Sequence, residues 1–172
     1  MILKAFREKS NHKYINKLLN ARKVAVSSKK INSIGVILNL SEFSDFETFR
    51  VSLKALGIPP NKTKVIAFVE DEKGVNQLWD SYFNPKDFGW KGKILNTELE
   101  TFINTEFDAL ISYYKKDVLQ LNLMSAASNA NFKIGLSNND HRLYDLIIDV
   151  KPNKFSIFMN ELKKYLTVLN KI

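Results

Sequence analysis

The sequence predicts an α/β protein, a Rossmann-like three-layer sandwich built on a mostly parallel sheet of five or six strands. Three observations carry this. The runs Ile34-Gly35-Val36-Ile37-Leu38 and Val65-Ile66-Ala67-Phe68-Val69 are almost unbroken, as in strands buried on both faces. Segments with helical spacing lie between such runs. The chain has 172 residues, 45% of them hydrophobic, with 12 Phe and 6 Tyr, which is enough for one domain with a real core.

The elements follow in order. In the N-terminal segment, Ile2, Leu3 and Phe6 share one helical side. Tyr14, Ile15, Leu18 and Leu19 share another, more than a right angle away. A single straight helix does not present both to one surface. The spacing therefore predicts a short helix at about 2–9, a break near Ser10-Asn11, and a second helix at about 11–22. The first strand, 33–40, follows the Lys29-Lys30 pair. Ser41 or Ser44 then opens a helix through Phe46, Phe49, Leu53 and Leu56, closed by Gly57 and Pro59-Pro60. Lys64–Val69 is the second strand. A short helix is expected around Val75–Tyr82 and a brief strand near Ile94. Thr97 caps a helix through Phe102 and Ile103, and Ala109–Tyr113 is a strand. Asp117 caps a helix through Leu121, Met124 and Ala127. Phe132–Leu136 and Leu143–Val150 are the last strands. Between them lie about six residues, fewer than the dozen of a helical crossover, so they form a hairpin-like pair or are not neighbours. Pro152 starts a long C-terminal helix.

Charge divides the chain unevenly. The net charge is +8, and the first 30 residues hold nine Lys or Arg against the single acid Glu8. Residues 31–172 hold 17 of each sign. The expected organisation is a basic helical arm, residues 1–30, docked on a single α/β domain, residues 31–172. A cationic arm on a neutral body implies an anionic partner. Absence of cysteine removes disulfides, thiolate metal sites and a Cys nucleophile, and suits a reducing compartment. No stretch approaches the ~20 apolar residues of a membrane span, and the N-terminus does not read as a signal peptide, so the expected location is cytoplasmic.

Several segments carry a resemblance: Lys9–Leu19 (KSNHKYINKLL), Gly35–Asn39 (GVILN), Val75–Ile94 (VNQLWDSYFNPKDFGWKGKI), Phe107–Asp117 (FDALISYYKKD) and Phe132–Val150 (FKIGLSNNDHRLYDLIIDV). Nearly end to end, the chain resembles a family of short α/β proteins from flavobacteria and related Bacteroidetes with no assigned activity. The resemblance implies a bacterial cytoplasmic protein and transfers no catalytic residue.

Three groups of residues are candidates for function. In the arm, Lys4, Arg7, Lys9, Lys13, Lys17, Arg22 and Lys23 suit a polyanion. RNA or a ribonucleoprotein is the expected partner, through phosphate contacts that position without reading sequence. Anionic lipid fits less well because the apolar faces are short and split, and solvated lysines on an ordinary docked helix are the plain alternative. In the loop 83–93, Phe83, Phe88 and Trp90 alternate with lysines and can stack on bases or, as the plainer reading, fill the core. At the carboxyl ends of the strands, Asn39, Ser41, Glu70, Asp71, Tyr113, Lys115, Ser137, Asn138, His141 and Arg142 can line a ligand pocket. The first turn lacks the G-x-G-x-x-G of dinucleotide sites, and neither a P-loop nor a G-x-S-x-G is present. No catalytic residue, metal or resident cofactor is assigned. A non-catalytic binding or accessory protein is the leading expectation, with an enzyme or sensor for a phosphorylated small molecule as the alternative.

Overall fold

The computed structural model of the protein describes residues 1–24, 27–71, 73, 81–137 and 139–172. Among them the apolar runs form one six-stranded sheet: β1 (Ile34–Asn39), β2 (Thr63–Phe68), β3 (Ser81–Phe83), β4 (Ala109–Tyr113), β5 (Phe132–Gly135) and β6 (Leu146–Ile147). The order is β3-β2-β1-β4-β5-β6 and every pairing is parallel. The chain winds outward from β1 in both directions. This creates a switch point between β1 and β4, where crossovers leave to opposite faces.

Burial on both faces explains the unbroken apolar runs. Val36 and Leu38 of β1 pack with α2 (Phe46–Ala55) and α5 (Phe155–Val168). Ile37 points the other way, into the layer of α1 (Ile2–Ala21), α3 (Thr97–Asn104) and α4 (Leu119–Ala127). Tyr113 sits among Phe43, Phe49, Phe155 and Phe158, with ring centroids within 5.8 Å. Gly35 is a close-approach position: a Cβ there would stand 2.8 Å from the Phe107 ring.

The structure corrects several local expectations. The N-terminal segment is one continuous helix, without a break at Ser10-Asn11. Asn11 is no cap; it is buried in mid-helix, where the loop 88–94 satisfies its amide. Of the expected helix at Val75–Tyr82, residues 75–80 lie outside the described residues, and Tyr82 belongs to β3. Ile94 makes an isolated bridge to Phe88 rather than a strand. The helix caps are also shifted. Asp45 caps α2 through the Thr48 amide at 2.9 Å, and Asn96 caps α3. Val118 occupies the cap of α4, while Asp117 accepts from the Asn122 amide. The C-terminal helix begins at Phe155, after Pro152.

The largest correction concerns the last strands. Leu143 lies in a 3-10 turn, the strand is only Leu146–Ile147, and it pairs with β5 in parallel rather than as a hairpin. The short crossover works because it hugs the sheet. The Tyr144 ring lies over Gly135, where a Cβ would meet it at 2.5 Å. The Asp145 amide donates to the Lys133 carbonyl at 2.7 Å, so the chain re-enters the sheet at once.

Candidate binding face and strand-end crevice

α1 is held by its second half. Ile15 and Leu19 are buried against the α3/α4 side of the core, and Tyr14 packs beside them. Polar contacts fix the helix at three further places. Asn11 donates to the Gly89 carbonyl at 3.0 Å and accepts from the Gly92 amide at 2.9 Å. Arg142 donates to the side chains of Asn16 and Asn20, both at 2.8 Å. Arg22 forms an ion pair with Asp145 at 2.6 Å and also donates to the Arg142 carbonyl. Arg22 is therefore committed inward and differs from the other expected cations. The Arg142 guanidinium also grips Asp140, holding that carboxyl below its usual range.

Beyond Asn11 toward the N-terminus no residue of α1 is buried, and Met1–Phe6 are exposed throughout. Ile2 and Leu3 are each 73% exposed and Phe6 is 56% exposed. The two apolar faces seen in the sequence thus have different fates: one docks and the other meets solvent. Because they oppose each other, the helix as a whole has almost no net amphipathicity. The outward face continues past Phe6 with Lys9, Lys13 and Lys17, which recur every fourth residue and so stack along one side. All three are exposed, and no ion pair among the described residues involves them. Lys4 and Lys23 are also exposed; Arg7 is half-buried, and Lys4 lies 3.9 Å from Glu8.

The aromatic loop divides. Phe83 and Phe88 are buried in the core, with Phe83 between Phe68 and Phe88. Trp90 stays 48% exposed, and Lys91 and Lys93 are exposed beside it. The loop backbone is tied to α1: the Lys91 amide donates to the Ser10 hydroxyl at 3.0 Å. Lys91 and Gly92 both take positive φ, 53° and 76°, to make this turn. The Trp90-Lys91 turn is thereby fixed one helical turn beyond Phe6.

The strand ends form a second candidate. Asn39, Ser41, Glu70 and Asp71 do come together, with Lys116 and Val118, around a cavity of about 270 Å³ beside the switch point. Lys116 Nζ donates to the Ser41 hydroxyl at 3.1 Å. The remaining expected residues lie elsewhere. Tyr113 is fully buried on the α2/α5 side, its hydroxyl donating to the Pro152 carbonyl at 2.8 Å; burial drives its phenol pKa upward. The Lys115 ammonium pairs with Asp149. Ser137 accepts from the Asn139 amide, and Asn138 lies outside the described residues. His141 is exposed in the 3-10 turn, and Arg142 is engaged with α1.

Glu42, which the sequence did not single out, decides the character of this crevice. Its carboxylate accepts from the backbone amides of Lys115 and Lys116 at 3.0–3.3 Å and from the Asn39 amide at 2.9 Å. The amide donors at the end of β4 are therefore already satisfied by an internal anion, with Glu70 and Asp71 nearby. Among the described residues no cluster of His, Asp and Glu has the arrangement of a metal site.

No curated protein and no solved structure matches this chain. A family model matches residues 7–169, from the docked helix to the end of α5, and with it the whole sheet and both helical layers. The chain belongs to that family, DUF6913, a family of unknown function.

Proposed function

We propose that this is a non-catalytic binding protein that presents the outward face of α1 to an anionic partner. One observation carries the reading: Lys9, Lys13 and Lys17 form an exposed row that makes no ion pair among the described residues, on a helix that is fixed from Ser10 to Arg22. A loose basic tail would spend ordering entropy on binding, whereas this row is held in place beforehand. The row recognises phosphate charge whatever carries it; RNA, a ribonucleoprotein and a lipid headgroup layer all qualify. The alternative, a phosphorylated small molecule at the strand ends, is less well supported because the Glu42 carboxylate holds the amides that would greet a phosphate. The cysteine-free composition fits a cytoplasmic setting.

Retention on an immobilised polyphosphate tests the row. Lys13→Glu with Lys17→Glu should abolish retention at physiological salt. The same change at Lys163 and Lys164 on α5, also exposed, should have little effect. Three phosphate contacts predict a log–log salt slope of about −2 to −3. Equal loss from both pairs, or no retention of the unaltered chain, refutes the reading.

A further inference from the structure

We infer that the anionic partner is a membrane surface, on which the protein docks through the apolar tip of α1 and Trp90. This rests on the reading above and names the carrier of the charge. Ile2, Leu3, Phe6 and Trp90 are the observations that RNA phosphates leave unused. All four are large, apolar and about half exposed or more. Leu3, Phe6 and Ser10 share one helical side at spacings of three and four, and the Lys91 amide ties the Trp90 turn to Ser10, which places that turn one helical turn beyond Phe6 on the same side. Lys9, Lys13 and Lys17 extend the same outward side.

An apolar patch continued by cations matches the chemistry of an anionic bilayer surface. Aliphatic side chains and an indole enter the boundary between headgroups and acyl chains, and lysines reach lipid phosphates. Neither signal suffices alone: three or four apolar side chains give a marginal anchor, and a lysine row supplies the second attraction. The helix lies on the surface and does not cross, since no described helix is long and apolar enough to span a membrane. The docking of Asn11, Ile15, Leu19 and Arg22 on the body keeps the other side of α1 away from lipid. This geometry removes the objection of split apolar faces, because only the outward face needs to meet the bilayer.

The test uses the full chain with three probes: phosphatidylcholine vesicles, the same vesicles with about one quarter phosphatidylserine, and a single-stranded RNA. Sedimentation with the anionic vesicles, release by high salt and weak sedimentation with the neutral ones are expected. Leu3→Ser with Phe6→Ser should weaken vesicle binding about tenfold or more. It should leave the melting temperature and the salt-sensitive polyphosphate retention unchanged, because both side chains are exposed. Lys13→Glu with Lys17→Glu should weaken vesicle binding about 25-fold or more, at roughly fivefold per lysine. RNA binding without vesicle binding overturns the membrane assignment and leaves the anionic-partner reading standing. Equal binding to neutral vesicles, or full vesicle binding by the Leu3/Phe6 variant, also overturns it. Binding to neither probe, with no polyphosphate retention, overturns both.

Discussion

Replacing Leu19 by Ala tests whether α1 is part of the folded body. Leu19 is 5% exposed and packs in the core shared with α3 and α4, whereas Leu18, one residue earlier, is only half-buried. Buried Leu→Ala changes cost about 2–5 kcal/mol, and a site at the edge of a core relaxes more than one at its centre. A loss of about 2–3 kcal/mol is therefore expected for Leu19→Ala, and about 1 kcal/mol for Leu18→Ala, which exposes less new surface. For a chain of this size each kcal/mol lowers Tm by about 2–4 °C. Urea and thermal unfolding should thus separate the two neighbours, with Leu19→Ala melting at least about 4 °C below the unaltered chain. Limited proteolysis should release residues 1–22 faster in the same variant. If Leu19→Ala melts normally while a protease removes the helix from the unaltered protein, α1 contributes nothing to the body. The fixed lysine row would then lose its physical basis.

Further outcomes follow from individual contacts. Gly92→Ala places a Cβ at positive φ and 2.0 Å from the Tyr14 ring; the loop should detach from Ser10 and Asn11, with faster amide exchange at residues 91 and 92 and a loss of about 1–3 kcal/mol. Lys133 is buried, with Nζ donating to the Ser125 and Ala126 carbonyls at the end of α4; burial and the Arg22 charge press its pKa down to about 8. The unfolded chain then binds more protons than the folded one between about pH 8 and 10.5, so this group adds stability as pH rises through that window and the increment is lost as pH falls through about 8. Lys133→Met should flatten that part of the stability profile by an amount on the order of 3 kcal/mol; parallel profiles for the two proteins would contradict it. Tyr113→Phe removes the hydroxyl that donates to the Pro152 carbonyl and should cost about 1 kcal/mol in urea unfolding, a neutral result showing that water replaces the bond.

What the sequence alone determined was whatever depends on local pattern. The buried runs at 34–38 and 65–69, short and bounded by polar residues, read as strands sealed on both faces, because a parallel sheet between helical layers accepts apolar side chains at successive positions. The two apolar faces of α1 and the excess of cations in residues 1–30 are likewise legible in the order of residues alone. Tertiary structure alone decided what those features meet. The helix runs through Ser10-Asn11 because the loop 88–94, some 80 residues away, supplies partners for a buried amide. Asn11, four residues before buried Ile15, was a polar residue in an apolar stripe, and that was the only local hint of a partner. The parallel return of β6 depends on Tyr144 lying over Gly135, a contact that connection length cannot express. At the strand ends, Asn39 and Glu70 converge while Tyr113 and His141 do not. A residue's side of a strand and its distance from the switch point are set by register, which depends on neighbours that are not adjacent in sequence.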